Sequence, residues 1–209
     1  MQAYRVGWYE DQILPRLVDR ACGTAELRQW RELVVAGLTG TVVEIGFGSG
    51  SNLSAYGHGV ERVLAVEPSA TARRLAADRV AESSIAVEYV GVDGASLPLG
   101  DASCDAALST FTLCTVPDVE QALAELLRVV RPGGRFHFLE HGLSPEAGVA
   151  RWQRRLDPIE RRLAGGCHLT RRPADLVEIA GFGIESVESF HVRGPKPWTW
   201  ITLGRAIRP

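Results

Sequence analysis

The chain has almost no lysine. Of its 23 basic residues only Lys196 is not arginine, and 25 acidic residues leave a net charge of −2. That balance offers no general attraction to nucleic acid. No apolar run approaches the roughly 20 residues needed to span a bilayer, and the opening Met1-Gln-Ala-Tyr-Arg-Val lacks the pattern of a signal peptide. The cysteines Cys22, Cys104, Cys114 and Cys167 form no CxxC pair and no zinc spacing, so no metal site is expected. Reduced thiols in a cytoplasmic protein are the default reading. Repeats and low-complexity tracts are also missing. With 209 residues and 45% hydrophobic content, the chain suits a single α/β domain over 1–209.

What is present concentrates first in Thr41-Val-Val-Glu-Ile-Gly-Phe-Gly-Ser-Gly50. A short β-branched run reads as a buried strand, ends in Glu44, and opens into Gly46, Gly48 and Gly50 at alternate positions. Such a turn lets a ligand approach the backbone without meeting a Cβ, and a strand leading through it into a helix makes the crevice of a doubly wound sheet. The third glycine comes two residues after the second, whereas the dinucleotide fingerprint requires three. A carboxylate at the root of the loop suits an amino-acid end better than a pyrophosphate, which points to S-adenosylmethionine. Two further runs support this. Val63–Val66 ends in Glu67-Pro68, where nucleotide folds place a ribose-gripping acid. Ile85–Val92 ends in Asp93-Gly94-Ala95, where an acid can accept from an adenine amino group. Ser109, ending a fourth run from Cys104, joins this cofactor set.

These residues resemble the class I methyltransferases over nearly the whole chain. Glu44–Gly50 is similar to that superfamily's first motif, Glu67 to its ribose acid and Asp93 to its adenine acid. Arg131-Pro-Gly-Gly134 before Phe136-His-Phe-Leu139 is similar to the turn into its fifth strand. Leu113-Cys-Thr-Val116, Glu140-His141, Trp152-Gln153, Leu156-Asp-Pro158 and Gly166-Cys-His-Leu-Thr-Arg171 resemble a narrower group, the thiol S-methyltransferases. These are animal methyltransferase-like proteins of the endoplasmic reticulum, and their hydrophobic anchor has no counterpart in this sequence. The resemblance implies a seven-stranded, mostly parallel Rossmann-like sheet whose last strand inserts antiparallel. It also implies a small-molecule acceptor, a thiol first, with a phospholipid or small amine as the alternative.

Elsewhere, one or two helices are expected within the N-terminal 1–38, with Pro15 as an interruption. Ser69 can cap a helix through Ala77. Asp118 and Gln121 can box the start of a helix over Val119–Val130, which Gly133-Gly134 would end. Phe182–Phe190 and Trp198–Leu203 read as closing strands joined by a hairpin. Between the fifth strand and a helix near Pro173, residues 142–172 form a helical insertion. Its Trp152, Leu156, Ile159 and Leu163 make an apolar stripe, and Asp157-Pro158 is expected to break it in two. The insertion is expected to be a lid over the acceptor. Seven arginines between Arg151 and Arg172 could form a solvated face, a rim for an anionic substrate, or a peripheral contact with lipid headgroups.

Methyl transfer needs an aligned acceptor and a dry site more than it needs acid–base help. A thiol requires only modest assistance to ionise. His141 and His168 are the expected catalytic residues, as proton acceptors, because imidazole titrates near neutrality. The chain lacks the Asn/Asp-Pro-Pro-aromatic element used to orient an amino nitrogen, since Ser109-Thr-Phe-Thr-Leu113 stands in its place. No nucleic-acid partner is therefore expected. The readings from other classes are an NAD-dependent oxidoreductase and a non-catalytic cofactor-binding protein.

Overall fold

The computed structural model describes residues 7–209, so the opening residues discussed above as lacking a signal peptide lie outside the described residues. Three helices lead in: α1 (Trp8–Gln12), α2 (Leu14–Cys22) and α3 (Ala25–Val35). This is one more than expected. The helical pattern breaks between Gln12 and Leu14, as expected near Pro15, which sits in the first turn of α2, where its missing N–H needs no intrahelical partner.

The remainder alternates: β1 (Gly40–Ile45), β2 (Val60–Val66), α4 (Ala70–Glu82), β3 (Ala86–Gly91), β4 (Cys104–Thr110), α5 (Val119–Val129) and β5 (Val130–His141). Then come α6 (Ala147–Leu163), α7 (Pro173–Ile179), β6 (Gly183–His191) and β7 (Trp200–Ile207). The seven strands form one sheet in the order β3-β2-β1-β4-β5-β7-β6. The first five strands pair in parallel, and β7 runs antiparallel between β5 and β6. The expected α/β, doubly wound sheet with its inserted antiparallel strand is what forms.

Alternation along β1 divides the core. Val43 and Ile45 face α5 and α7 together with Leu123, Leu126 and Phe136, while Val42 faces the layer holding Val34 and Val35 of α3. Ser69 caps α4 through Ala72 N–H, and Asp118 caps α5 through Gln121 N–H. The helix α5 ends at Val129. Gly133 and Gly134, expected to stop it, lie inside β5, where the pairing with β4 slips register between Cys104 and Ala106.

The insertion departs most from expectation. Helix α6 runs unbroken through Pro158 for 17 residues. Asp157 does not cap a second helix, because its side chain is buried and accepts from Thr170 Oγ1 at 3.1 Å. The buried face of α6 is Val149, Ala150, Gln153 and Asp157, and the apolar stripe points outward, with Trp152 55%, Ile159 56% and Leu163 60% exposed. Gln153 ties the helix down: it accepts from Ser144 N–H and donates to the carbonyls of Gly142 and Pro197. Of the clustered arginines, Arg151, Arg154, Arg155, Arg161, Arg162 and Arg172 are exposed, whereas Arg171 turns inward. Among the described residues no helix is long and apolar enough to cross a membrane.

Candidate functional site

Strand order reverses between β1 and β4, which opens a crevice beyond their carboxyl ends. A cavity of about 270 Å³ lies there, walled by the glycine loop, Glu67-Pro68, Asp93-Gly94 and Phe111–Thr112, and by Ala164-Gly165 at the end of α6. A larger cleft of about 610 Å³ runs along the flank of α3 and α4 and reaches the amino ends of β2 and β3, away from their carboxyl ends. The strand-end cavity is the one that the fold's topology assigns to a ligand.

The loop is shaped for close approach. Gly46 has φ +68°, and a Cβ there would lie 1.9 Å from Thr112 Oγ1. Gly48, at φ +59°, has no protein atom nearer than 3.8 Å to where its Cβ would stand, so the space beside it is open to a ligand. Gly50, expected in the cofactor set, supports the turn without reaching the cavity wall. Glu67 secures the loop. Its Oε2 accepts from Gly48 N–H at 2.7 Å and its Oε1 from Ser69 N–H at 2.8 Å. Burial raises its pKa, opposed by those two N–H groups and by Arg73. Each oxygen keeps a lone pair for a ligand hydroxyl. Pro68 and Gly94 stand on the wall, as does Asp93, whose Oδ1 also accepts from Ala95 N–H at 2.9 Å. Ala95 itself lies off the wall.

Glu44 sits beneath the loop, fully buried and off the cavity wall. Asn52 Nδ2 and Tyr56 Oη donate to its two oxygens at 2.7 Å each. Burial pushes its pKa up to about 7, against the pull of those donors and of Arg31. The sequence reading missed Arg31. It is buried on α3, donates from Nη1 to Asn52 Oδ1 at 2.8 Å and to Thr110 Oγ1 at 3.1 Å, and reaches the cavity wall with its Nε unpartnered. A single arginine in an amphipathic helix gives no local signal that it will be enclosed.

Phe111 was also missed. It has φ +54°, a strained conformation for an aromatic residue and one that concentrates at functional sites. Its ring lies on the wall, 5.2 Å from that of His141 and 5.6 Å from the Arg31 guanidinium. Ser109, expected to touch the cofactor, turns away and donates to Glu140 Oε1 at 2.6 Å. The N–H groups of Thr112, Leu113 and Cys114 also donate to Glu140, which is completely buried. One carboxylate at the end of β5 thus fixes the whole loop after β4.

Neither expected histidine lines the cavity. His141 stands behind Phe111, with Nδ1 enclosed and free of hydrogen bonds. His168 lies on the turn after α6, its Nδ1 3.8 Å from Asp157 and its N–H bonded to the Cys114 carbonyl at 2.8 Å. Burial lowers its pKa, as do Arg171 and Arg161, while Asp157 raises it. Folding also joins residues far apart in sequence: donor atoms of Cys114, His141 and Cys167 all come within 4.8 Å of one another. Contact with Cys114 and with His141 pulls the Cys167 thiol down to about 6 despite burial, and Cys114 is pushed the opposite way.

Residues 43–138 match the family model described as a methyltransferase domain. Thiol S-methyltransferase TMT1B of Rattus norvegicus is 32% identical over 171 residues, which cover 80% of this chain and 68% of that one. Demethylmenaquinone methyltransferase of Thermobifida fusca is 31% identical over 155 residues, covering 72% and 61%. A solved S-adenosylmethionine-dependent methyltransferase of Thermotoga maritima superposes with a TM-score of 0.68 at 22% identity, covering 95% of this chain and 99% of that one. That likeness shows a shared fold. The rat relative, matched over most of both chains, is what places this sequence in the family of the thiol S-methyltransferases, within the class I S-adenosylmethionine-dependent methyltransferases.

Proposed function

We propose that this methyltransferase transfers its methyl group to a small, partly hydrophobic thiol or to sulfide. One observation carries the reading: the sequence elements that resemble thiol-methylating proteins, remote from one another in the chain, pack as one unit behind the part of the cavity wall formed by residues 111–117 and 164–165. Glu140 gathers the N–H groups of residues 112–114. Arg171 donates to the carbonyls of Leu113 and Val116. His168 closes onto Cys114, and Gln153 fastens α6 beside them. None of these groups is needed to hold a nucleoside, so their task is to shape what lies opposite it.

The wall fits S-adenosylmethionine: open space at Gly48, acids at Glu67 and Asp93, and a fixed cation at Arg31. Glu67 takes the two ribose hydroxyls, Asp93 the adenine amino group, and Arg31 the carboxylate of the amino-acid end. When bound, the cofactor supplies an electrophilic sulfonium methyl. Phe111 and Thr112 then bound the space in which an acceptor sulfur lines up with it and from which water is excluded. Because His141 and His168 lie behind this wall, we assign them to shaping it, and the acceptor's proton leaves to solvent. That suits a thiol, which ionises appreciably near neutral pH without a partner base. A demethylated quinone, the substrate in the name of the Thermobifida relative, is the second reading. An amine or phospholipid headgroup would also need to shed a proton.

A panel of thiols, amines, phenols and quinols, followed by formation of S-adenosylhomocysteine, tests the assignment. Turnover confined to thiols is expected. Turnover of amines or quinols with no activity on any thiol would overturn it.

A further inference from the structure

The side chains of the three-residue cluster behind Phe111 do no chemistry in the proposal above, beyond the support that His141 gives the wall. Cys114 comes from the loop after β4, His141 from the last residue of β5, and Cys167 from the turn after α6. Their donor atoms lie within 4.8 Å of one another, and both cysteines are buried. The geometry points to a metal site: Cys114 Sγ, Cys167 Sγ and a ring nitrogen of His141 bind one borderline-soft divalent cation of the zinc class.

Two thiolates and an imidazole are the donor set that selects zinc over magnesium or calcium, which prefer oxygen. Tetrahedral ligation with zinc–sulfur bonds of about 2.3 Å sets sulfurs about 3.8 Å apart. The cluster therefore needs to contract by about 1 Å at most, which side-chain rotation can supply. Each donor is also held from outside. The loop of Cys114 hangs on Glu140, the Cys167 turn is pinned by His168 N–H to the Cys114 carbonyl, and the His141 ring rests on Phe111. Outer contacts of this kind orient metal ligands.

A second observation agrees. The enclosed Nδ1 of His141 has no hydrogen-bond partner, a cost that a native fold seldom carries without a reason. A cation on either ring nitrogen would fix the tautomer and with it what the other nitrogen offers, which two cysteines acting as small hydrophobes would not. In the balanced reaction, two thiols and a hydrated dication give the neutral bis-thiolate complex, water and two protons. Three protein ligands leave one tetrahedral position, the pattern of a site with an exchangeable ligand.

The test is titration of the reduced 209-residue chain with Co²⁺, followed by displacement with Zn²⁺. One equivalent of cobalt should give a sulfur-to-metal charge-transfer band in the near ultraviolet and the visible bands of a tetrahedral ion. Cys114→Ser and Cys167→Ser should each weaken zinc binding by more than the roughly 10- to 100-fold typical of losing an outer-shell partner. Cys104→Ser, in the core of β4, should leave it unchanged. A wild-type cobalt spectrum with no charge-transfer band would overturn the proposal even if neither variant folds. So would a band that persists in both serine variants.

Discussion

Replacing Glu67 with glutamine separates two roles that the structure gives one carboxylate. The side chain already accepts from Gly48 N–H at 2.7 Å and Ser69 N–H at 2.8 Å, so it braces the glycine loop before any ribose arrives. Glutamine keeps one acceptor oxygen and turns an NH₂ group toward the other N–H. A hydrogen bond to a charged group contributes about 1.5–3 kcal/mol. Losing one such bond to the ribose would weaken cofactor binding by about 10- to 150-fold. Damage to the loop would add to that loss, so the raw affinity does not identify the ribose contact.

A double-mutant cycle does. Calorimetry on wild type and Glu67→Gln, each with S-adenosylhomocysteine and with its 2′,3′-dideoxy analogue, isolates the term that needs both the carboxylate and the diol. Wild type should prefer the ribose form by about 1.5–3 kcal/mol or more, and the variant should lose most of that preference. If both proteins discriminate equally against the dideoxy analogue, Glu67 holds only the loop and the ribose assignment is wrong.

Four further outcomes are expected. Glu44, held near 7 by burial against an ordinary 4.5, keeps a proton in the folded chain that the unfolded chain loses between those values. Stability therefore falls as pH rises from about 4.5 to 7, by roughly 3 kcal/mol from this group, and is flat above; urea unfolding of wild type and Glu44→Gln should diverge across that window, and parallel curves would refute it. Arg31→Lys should cost more affinity for S-adenosylhomocysteine than for its decarboxylated analogue, and equal losses would confine Arg31 to its contacts with Asn52 and Thr110. Trp152→Ala should leave both the acceptor KM and cofactor affinity unchanged, because that side chain is 55% exposed; a raised KM would restore the lid. With a thiol acceptor, kcat/KM should rise about tenfold per pH unit below the thiol's own pKa and level off above it, and the midpoint should move when the thiol is changed. A midpoint fixed across thiols would mean that a group of the protein takes the proton.

The glycine loop, Glu67-Pro68 and Asp93-Gly94 were legible in the sequence because their signals are local, whereas Glu44, Gly50, Ala95 and Ser109, expected beside them, lie off the cavity wall. A strand that ends in glycines, or in an acid followed by proline, carries its meaning within ten residues, and β-branched runs fixed the parallel strands in the same way. Pro15 marked a helix start correctly, whereas Pro158 misled: proline disfavours a helix by propensity, but its cost depends on which carbonyl would have lacked a donor and on what packs beside it. The stripe on α6 misled differently. Periodicity showed that an apolar face exists, yet the buried face carries Gln153 and Asp157, whose polar groups are met by Ser144, Gly142, Pro197 and Thr170. Burial of polar groups needs such partners, and a helix read alone does not reveal them.

How the elements after β4, β5 and α6 fit together was not legible from residue pattern, because they are joined by pairings of long sequence separation. Glu140 reaches back 26–31 residues to Ser109 and the loop that follows, and Arg171 reaches back 55 and 58 residues to Val116 and Leu113. Cys114, His141 and Cys167 meet only once those ties are made, which is why cysteine spacing alone gave no sign of a shared site. The same ties make these elements separable from the cofactor site. Arg171 and Glu140 hold the loop of residues 112–116, whereas Glu67 and Asp93 stand just beyond the ends of β2 and β3. The residues that set acceptor choice are therefore to be sought between Phe111 and Val116 and around Gly165, where these elements meet the cavity.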